Sequence, residues 1–356
     1  MSSMTGKNIK ISIFGQSHSQ GIGVVIDGLP AGIKIDMEQV YAFMARRAPG
    51  NNAMSTSRKE ADKPEIISGV VENTTCGAPL CAVIRNTNTR SGDYSNLKDC
   101  PRPSHADFAA SVRYNGFNDV SGGGHFSGRL TAPLCFAGNI CMQILKAQNI
   151  DIKAHIYSIS NIKDKPFDLV NIIDCNIASK DFPVIDDDLG KKMIDKIIEA
   201  KLQADSVGGI IECAVTGIDA GYGDPMFEGV ENIIAKNIFA VPAVKGIEFG
   251  NGFECTKLLG SENNDPYTIK NGKVMTETNN AGGITGGITT GMPIVFRTAM
   301  KPTPSIGKEQ KSISISNNEN TTLVIKGRHD PCIVQRAVPV IEAVTAISIL
   351  DIIMEK

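Results

Sequence analysis

From one end to the other, the sequence alternates short stretches of two-residue apolar periodicity with longer stretches of helical spacing. No proline- or serine-rich linker and no block of like charge separates one set from the next. Strands read at 8–14, at 24–26 before the turn Gly28, Leu29, Pro30, Ala31, Gly32, and at 65–71, 80–85, 209–215, 246–249, 294–298 and 322–325. Helical spacing covers 105–114, 130–148, 189–202, 230–238 and 338–353. Asp36 is placed to cap a further helix through Val40, Phe43 and Met44, ending at Arg46 and Arg47 before Pro49 and Gly50. This mixture predicts an α/β or α+β fold, and the missing linker predicts one continuous domain over 1–356. The stretches 21–32 and 209–221 each set a hydrophobic strand before a small-residue turn. An internal duplication of a half-chain unit explains the likeness, and chance recurrence of a common pattern is the other explanation.

Composition narrows the functional classes. A formal net charge of −2 gives no broad footprint for a nucleic-acid backbone, so an anion site has to be gathered locally. Residues 1–10 lack the apolar core of a signal peptide, and no apolar run reads as approaching the roughly 18 residues of a bilayer span. The expectation is a cytoplasmic protein with a small-molecule partner and no nucleic-acid or membrane partner. The nine cysteines include no C-x-x-C pair and sit mostly in apolar surroundings, so they read as reduced buried thiols, with no metal site.

Arginine is distributed unevenly: eight of eleven, Arg46, Arg47, Arg58, Arg85, Arg90, Arg102, Arg113 and Arg129, fall between 46 and 129, and none between 130 and 296. Lysine is spread throughout, so the bias belongs to the planar fork that grips carboxylate and phosphate. Of five histidines, His18, His105, His125 and His329 lie in turn-like segments, where they suit proton exchange; His155 sits on a strand pattern. Two glycine-rich segments, 121–129 and 279–291, expose backbone where a ligand could press close, and the first opens a helix, as an anion site does. Prolines hold Lys301, Pro302, Thr303, Pro304 and Ser305 extended, offering donors. Asp330 reads either as a proton-transfer group or as the N-cap of the following helix.

Together these segments resemble the chorismate synthase family, in the family's order, over nearly the whole chain. Gly15-Gln16-Ser17-His18-Ser19 with Asp27-Gly28-Leu29-Pro30 is similar to its opening. Arg102-Pro103-Ser104-His105-Ala106-Asp107 with Gly122-Gly123-Gly124-His125-Phe126-Ser127-Gly128-Arg129 is similar to its middle segment. Gly327-Arg328-His329-Asp330-Pro331-Cys332, with Arg336 to Pro339 and Glu342-Ala343, is similar to its close. Gln16, Ser19, Ser104 and His125-Phe126 stand where the family pattern has Glu, Gly, Gly and Arg-Ser.

The resemblance implies a β-α-β sandwich, a homotetramer, and reduced FMN in a reaction without net redox change, with NADPH as a potential reductant. The reaction removes phosphate and the C6 proton from 5-enolpyruvylshikimate 3-phosphate. By family role His18 and His105 are proton donors and Asp330 assists removal of the C6 proton. Arg47, Arg102, Arg129 and Arg328 hold anions. His125, Phe126, Ser127, Pro242, Ala243, Gly286, Lys301, Pro302, Thr303, Pro304, Ser305 and Arg328 fall where the family contacts FMN, and Arg47 and Ala53 where it contacts the nicotinamide cofactor. An FMN-dependent oxidoreductase and a non-catalytic flavin-binding relative remain alternatives.

Overall fold

Two antiparallel sheets enclose a layer of helices in the computed structural model, which describes residues 3–48, 62–87, 97–172, 176–325 and 330–355. The first sheet comprises β1 (Met4–Thr5), β2 (Lys10–Gly15), β3 (Gly21–Asp27), β4 (Pro64–Ser68) and β5 (Leu80–Arg85), in the order β1-β2-β3-β5-β4. The second comprises β6 (Asp151–Ile159), β7 (Ile162–Lys163), β8 (Gly209–Thr216), β9 (Val244–Phe249) and β10 (Ile294–Met300), in the order β9-β10-β8-β6-β7. All pairings are antiparallel. The strand expected at 65–71 is interrupted at Gly69, whose φ of +87° brings its backbone so close that a Cβ would lie 2.4 Å from the Leu80 Cα.

Among the described residues the α-helices of seven residues or more are α1 (Met37–Arg47), α2 (Asp107–Arg113), α3 (Thr131–Ala147), α4 (Asp187–Leu202), α5 (Val230–Ile238) and α6 (Val334–Ile353). Helices α3 and α6 pack on each other, α3 against β2, β3 and β5 and α6 against β6 and β8. A helix apolar all round belongs between two surfaces, and in α6 even Thr345 and Ser348 are buried, their hydroxyls donating to Ile341 and Val344 carbonyls at 2.7 and 2.8 Å. The crossing is tight: a Cβ on Gly138 would stand 2.3 Å from the Ala343 Cα. Glu342, 1% exposed, ties α6 to both neighbours, accepting from both Arg46 Nη atoms at 2.6 and 3.1 Å and from the Ala154 N–H at 3.0 Å.

Helix α6 begins four residues earlier than its sequence pattern suggests, with Pro339 inside it. Gly128–Ala147 also departs from expectation: at mean hydropathy 1.2 it is long and apolar enough to cross a membrane, but 72% of the window is buried in the protein, as a core helix is. Among the described cysteines, Cys135, Cys141, Cys213 and Cys332 are buried, Cys76 is exposed, and Cys81, Cys100 and Cys255 lie between. Burial pushes the Cys135, Cys141 and Cys332 thiols up to about 12.

The two similar stretches occupy matching places. One forms β3 and the other β8, each third in its sheet. Each ends at a positive-φ glycine packed on the carbonyl preceding the adjacent strand: Gly28 on Asn8, where a Cβ would be 2.0 Å from the oxygen, and Gly217 on Asn149, at 2.1 Å. This correspondence supports the duplicated reading.

Candidate active site

A cavity of about 580 Å³ opens where α3 and α6 begin, between the loops 102–106, 122–129, 239–244 and 300–305. Two buried helices point their N-termini at it, so their dipoles add positive potential to that of its side chains. Arg47, Arg102, Arg129, Arg336 and Lys301 supply the cations, and the wall from Phe239 to Val244, with Ile333, Ala337 and Val340, is mostly apolar.

Buried carboxylates fix the arginines. Asp62 bridges Arg47 Nη1 and Arg129 Nη1; Arg47 Nε also donates to Thr131 Oγ1 at 3.0 Å and Arg129 Nε to Asn86 Oδ1 at 3.1 Å. Burial opposes the Asp62 charge, but Arg47 and Arg129 outweigh it and hold the carboxyl below its ordinary range. Arg102 grips Asp107 with Nε and Nη2 at 2.7 and 2.8 Å and donates from Nη1 to Ser305 Oγ at 3.2 Å. His105 Nδ1 lies 2.6 Å from Asp107 Oδ1. Asp107 too pays for burial, yet Arg102 and His105 hold it well below the usual carboxylate range.

The three glycines ahead of α3 adopt φ values of +60°, +88° and +54°, open to glycine and strained for other residues. A Cβ on Gly122 would lie 2.1 Å from His18 Cε1, and one on Gly123 3.2 Å from His105 Cε1. The loop therefore lies between the two histidines. His18 stands behind it, outside the cavity lining, with Nδ1 3.1 Å from Ser17 Oγ, whose hydroxyl donates to the Ser121 carbonyl at 3.0 Å. His125 lines the cavity, but both ring nitrogens are engaged, Nδ1 donating to the Gly15 carbonyl at 2.8 Å and Nε2 lying 2.7 Å from Ser3 Oγ.

Of the residues singled out in the sequence, Arg47, Arg102, His105, His125, Phe126, Ser127, Arg129, Lys301, Thr303, Pro304, Ser305 and Asp330 converge on this cavity, as do Pro242 and Ala243, the latter at φ +75°. Pro302 is not among its lining residues. Gly286 is not either; it sits in the turn between the strands Ile284–Thr285 and Ile288–Thr289. Ala53 and Arg328 lie outside the described residues, with Arg58, Arg90 and His329. Asp330 is not the N-cap of α6, which is Ile333; its Oδ2 pairs with Arg336 Nη1, and Arg336 Nε donates to the Arg47 carbonyl at 3.0 Å. His155 lies elsewhere, buried on the second sheet between Asp164 and Glu212. No residue pattern in the sequence marks a role for Asp62, Asp107 or Arg336. Asp107 and Arg336 lay inside quoted motifs; Asp62 carries no local signal, since its partners are 15 and 67 residues away.

A family model described as Chorismate synthase matches residues 9–354. The chain is similar to the chorismate synthase of Lancefieldella parvula, 46% identical over 99% of this chain and 96% of that protein, and to that of Pyrococcus abyssi, 43% identical over 98% and 96%. Its fold matches a crystal structure of chorismate synthase with a TM-score of 0.77 at 24% identity, covering 99% of this chain and 93% of that one. With that match running nearly end to end over a β-α-β sandwich whose charged cavity gathers the motif residues, the chain belongs to the chorismate synthase family.

Proposed function

We propose that this protein is a lyase acting on a phosphate ester. It eliminates phosphate and the C6 proton, in an anti-1,4 sense, from 5-enolpyruvylshikimate 3-phosphate to give chorismate, the last common step of the shikimate pathway. The observation that carries this reading is the convergence of Arg47, Arg102, Arg129, Arg336 and Lys301 with His105 on one cavity with an apolar wall. A substrate bearing one phosphate and two carboxylates needs such a set, fixed in advance by buried carboxylates, to bind and to stabilise departing phosphate.

Reduced FMN suits the same cavity. The volume is in the range of cofactor pockets, Phe239 to Val244 and Phe126 offer apolar surface for a planar ring, and Thr303 Oγ1 is buried with no hydrogen-bond partner among the described residues. When bound, the reduced flavin supplies electron density that eases a difficult carbon–oxygen cleavage. Phe126, Ser127, Pro242, Ala243, Lys301, Thr303 and Ser305 are the residues to hold it. His105 and His18 are the proton-holding residues, on opposite sides of the glycine loop, and Asp330 assists removal of the C6 proton. The same reading makes the enzyme a cytoplasmic homotetramer of one-domain subunits, with NADPH a candidate reductant.

The test is an anaerobic assay with 5-enolpyruvylshikimate 3-phosphate and chemically reduced FMN, following chorismate absorbance and free phosphate together. Equal yields that require reduced FMN are the expected result. Tight flavin binding with no product, or product formed only with consumption of an oxidant, overturns the lyase reading in favour of a flavin-binding relative or an oxidoreductase.

A further inference from the structure

Asp107 is the first residue of α2, 6% exposed, and the partners of its carboxylate among the described residues, Arg102 and His105, both line the cavity. Its Oδ2 accepts from the Arg102 backbone N–H at 3.0 Å and from Arg102 Nε at 2.7 Å; its Oδ1 faces Arg102 Nη2 at 2.8 Å and His105 Nδ1 at 2.6 Å. Arg102 Nη2 also lies 3.1 Å from His105 Nδ1. A guanidinium N–H can only donate, and an ionised carboxylate can only accept. Two approaches to Nδ1 compete: the Asp107 carboxylate at 2.6 Å favours a hydrogen on Nδ1, because two acceptors that close repel without one, and Arg102 Nη2 at 3.1 Å favours Nδ1 as an acceptor; the shorter contact, to a charged oxygen, outweighs the longer one. Nε2 is then the ring nitrogen left to exchange a proton with a ligand. Beside it the chain has glycine: a Cβ on Gly123 would stand 3.4 Å from Nε2.

We infer that Asp107 is the positioning residue of this site, acting through His105: it fixes the Nδ1–H tautomer and the ring's orientation, so that Nε2 is the atom that gives and regains the proton. Arg102 in turn clamps Asp107 through two parallel hydrogen bonds, so one arginine serves the cavity and the orientation of the imidazole together. The proton inventory balances without Asp107 taking a proton. The protonated ring loses its Nε2 hydrogen to the ligand, becomes the neutral Nδ1–H tautomer, and is restored by one proton returning to Nε2. The kinetic half of this inference rests on the proposed elimination; the tautomer does not.

The experiment uses the full-length protein labelled with ¹⁵N-histidine, with long-range ¹H–¹⁵N spectra and the His105 signals assigned by their loss in His105→Gln. Wild type is expected to show His105 in its Nδ1–H form when neutral. Asp107→Asn, whose amide can donate to Nδ1, is expected to shift it to the Nε2–H form. In that variant kcat should fall about 10- to 100-fold, part of the 10²–10⁴ that a positioned acid or base contributes, with KM changed less than about threefold. Asp107→Glu, which keeps the carboxylate, should keep the wild-type tautomer. An Nε2–H form in wild type, an unchanged tautomer in Asp107→Asn, or an unchanged kcat overturns the inference. If Asp107→Asn does not fold, the wild-type and Asp107→Glu spectra decide. Wild-type protein that lacks turnover while showing Nδ1–H refutes the elimination and leaves the positioning role standing.

Discussion

Replacing Gly122 by alanine separates two costs that usually arrive together. At φ +60° an alanine pays about 1–2 kcal/mol for left-handed backbone. Its methyl would also stand 2.1 Å from His18 Cε1 and 2.3 Å from Nδ1. Ordinary carbon contacts lie at about 3.5–4.0 Å, so the ring or the loop has to give by roughly 1 Å or more. A displacement of that size in a reacting group costs on the order of 10² in rate. Gly123→Ala carries the same kind of backbone strain at φ +88°, but meets His105 Cε1 at 3.2 Å, a gap closed by a shift of a few tenths of an ångström. Gly116→Ala, at φ +76° with nothing within 4 Å, isolates the strain. The three variants should lose similar stability, about 1–2 kcal/mol in urea unfolding. Turnover should fall about 100-fold in Gly122→Ala, several-fold in Gly123→Ala, and stay at wild type in Gly116→Ala. Full turnover in Gly122→Ala, at the same loss of stability, would refute the proposed proton-holding role of His18.

Two further predictions concern stability. Asp351 accepts from the backbone N–H groups of Lys7, Asn8 and Ile9 at 3.0, 2.6 and 2.8 Å, pinning the N-terminal strand to the end of α6. Asp351→Ala should cost about 2–3 kcal/mol by orphaning these donors, and a urea midpoint shift equivalent to less than about 0.5 kcal/mol would argue against it. Asp62 and Asp107 have depressed pKa values, so the stability they add is present above the unfolded carboxylate value near 4 and lost as pH falls through their folded values. The urea midpoint should therefore drop below about pH 4; Asp62→Asn should cost about 3–5 kcal/mol at neutral pH and flatten that drop.

Local signals in the sequence carried the helices well. Asp36 caps α1 as its type and position suggest, accepting from the Glu38 and Gln39 N–H groups, and α5 runs over the residues its spacing marks, because spacing and burial agree there. The sequence pattern marks α6 only from 338, while packing between two sheets carries the helix back to Val334 and through Pro339. Strand pairing was not legible at all, since β3 meets β5 across more than fifty residues and only the assembled helix layer fixes that register. At the site, the arginine and histidine clusters were visible as residue types. Their carboxylate partners were not: Asp62 looks like any surface aspartate until folding places it between Arg47 and Arg129. Gly286, singled out by its motif context, sits in the turn between two short strands and is not among the residues lining the cavity.

The contact between Gly138 and Ala343 gives this architecture a mechanical character. Both helices start at the cavity, and they cross seven residues into α3 and nine into α6, about 10 and 13 Å from their first turns at 1.5 Å per residue. Each N-terminal segment is thus a short arm extending from a shared fulcrum, one bearing Thr131 and the neighbouring Arg129, the other Arg336. The spacing between the two anion-facing walls is set at the fulcrum, by the absence of a single methyl group. Genetic variation at this buried, chemically inert crossing would therefore surface as altered catalysis, in residues that never meet a ligand.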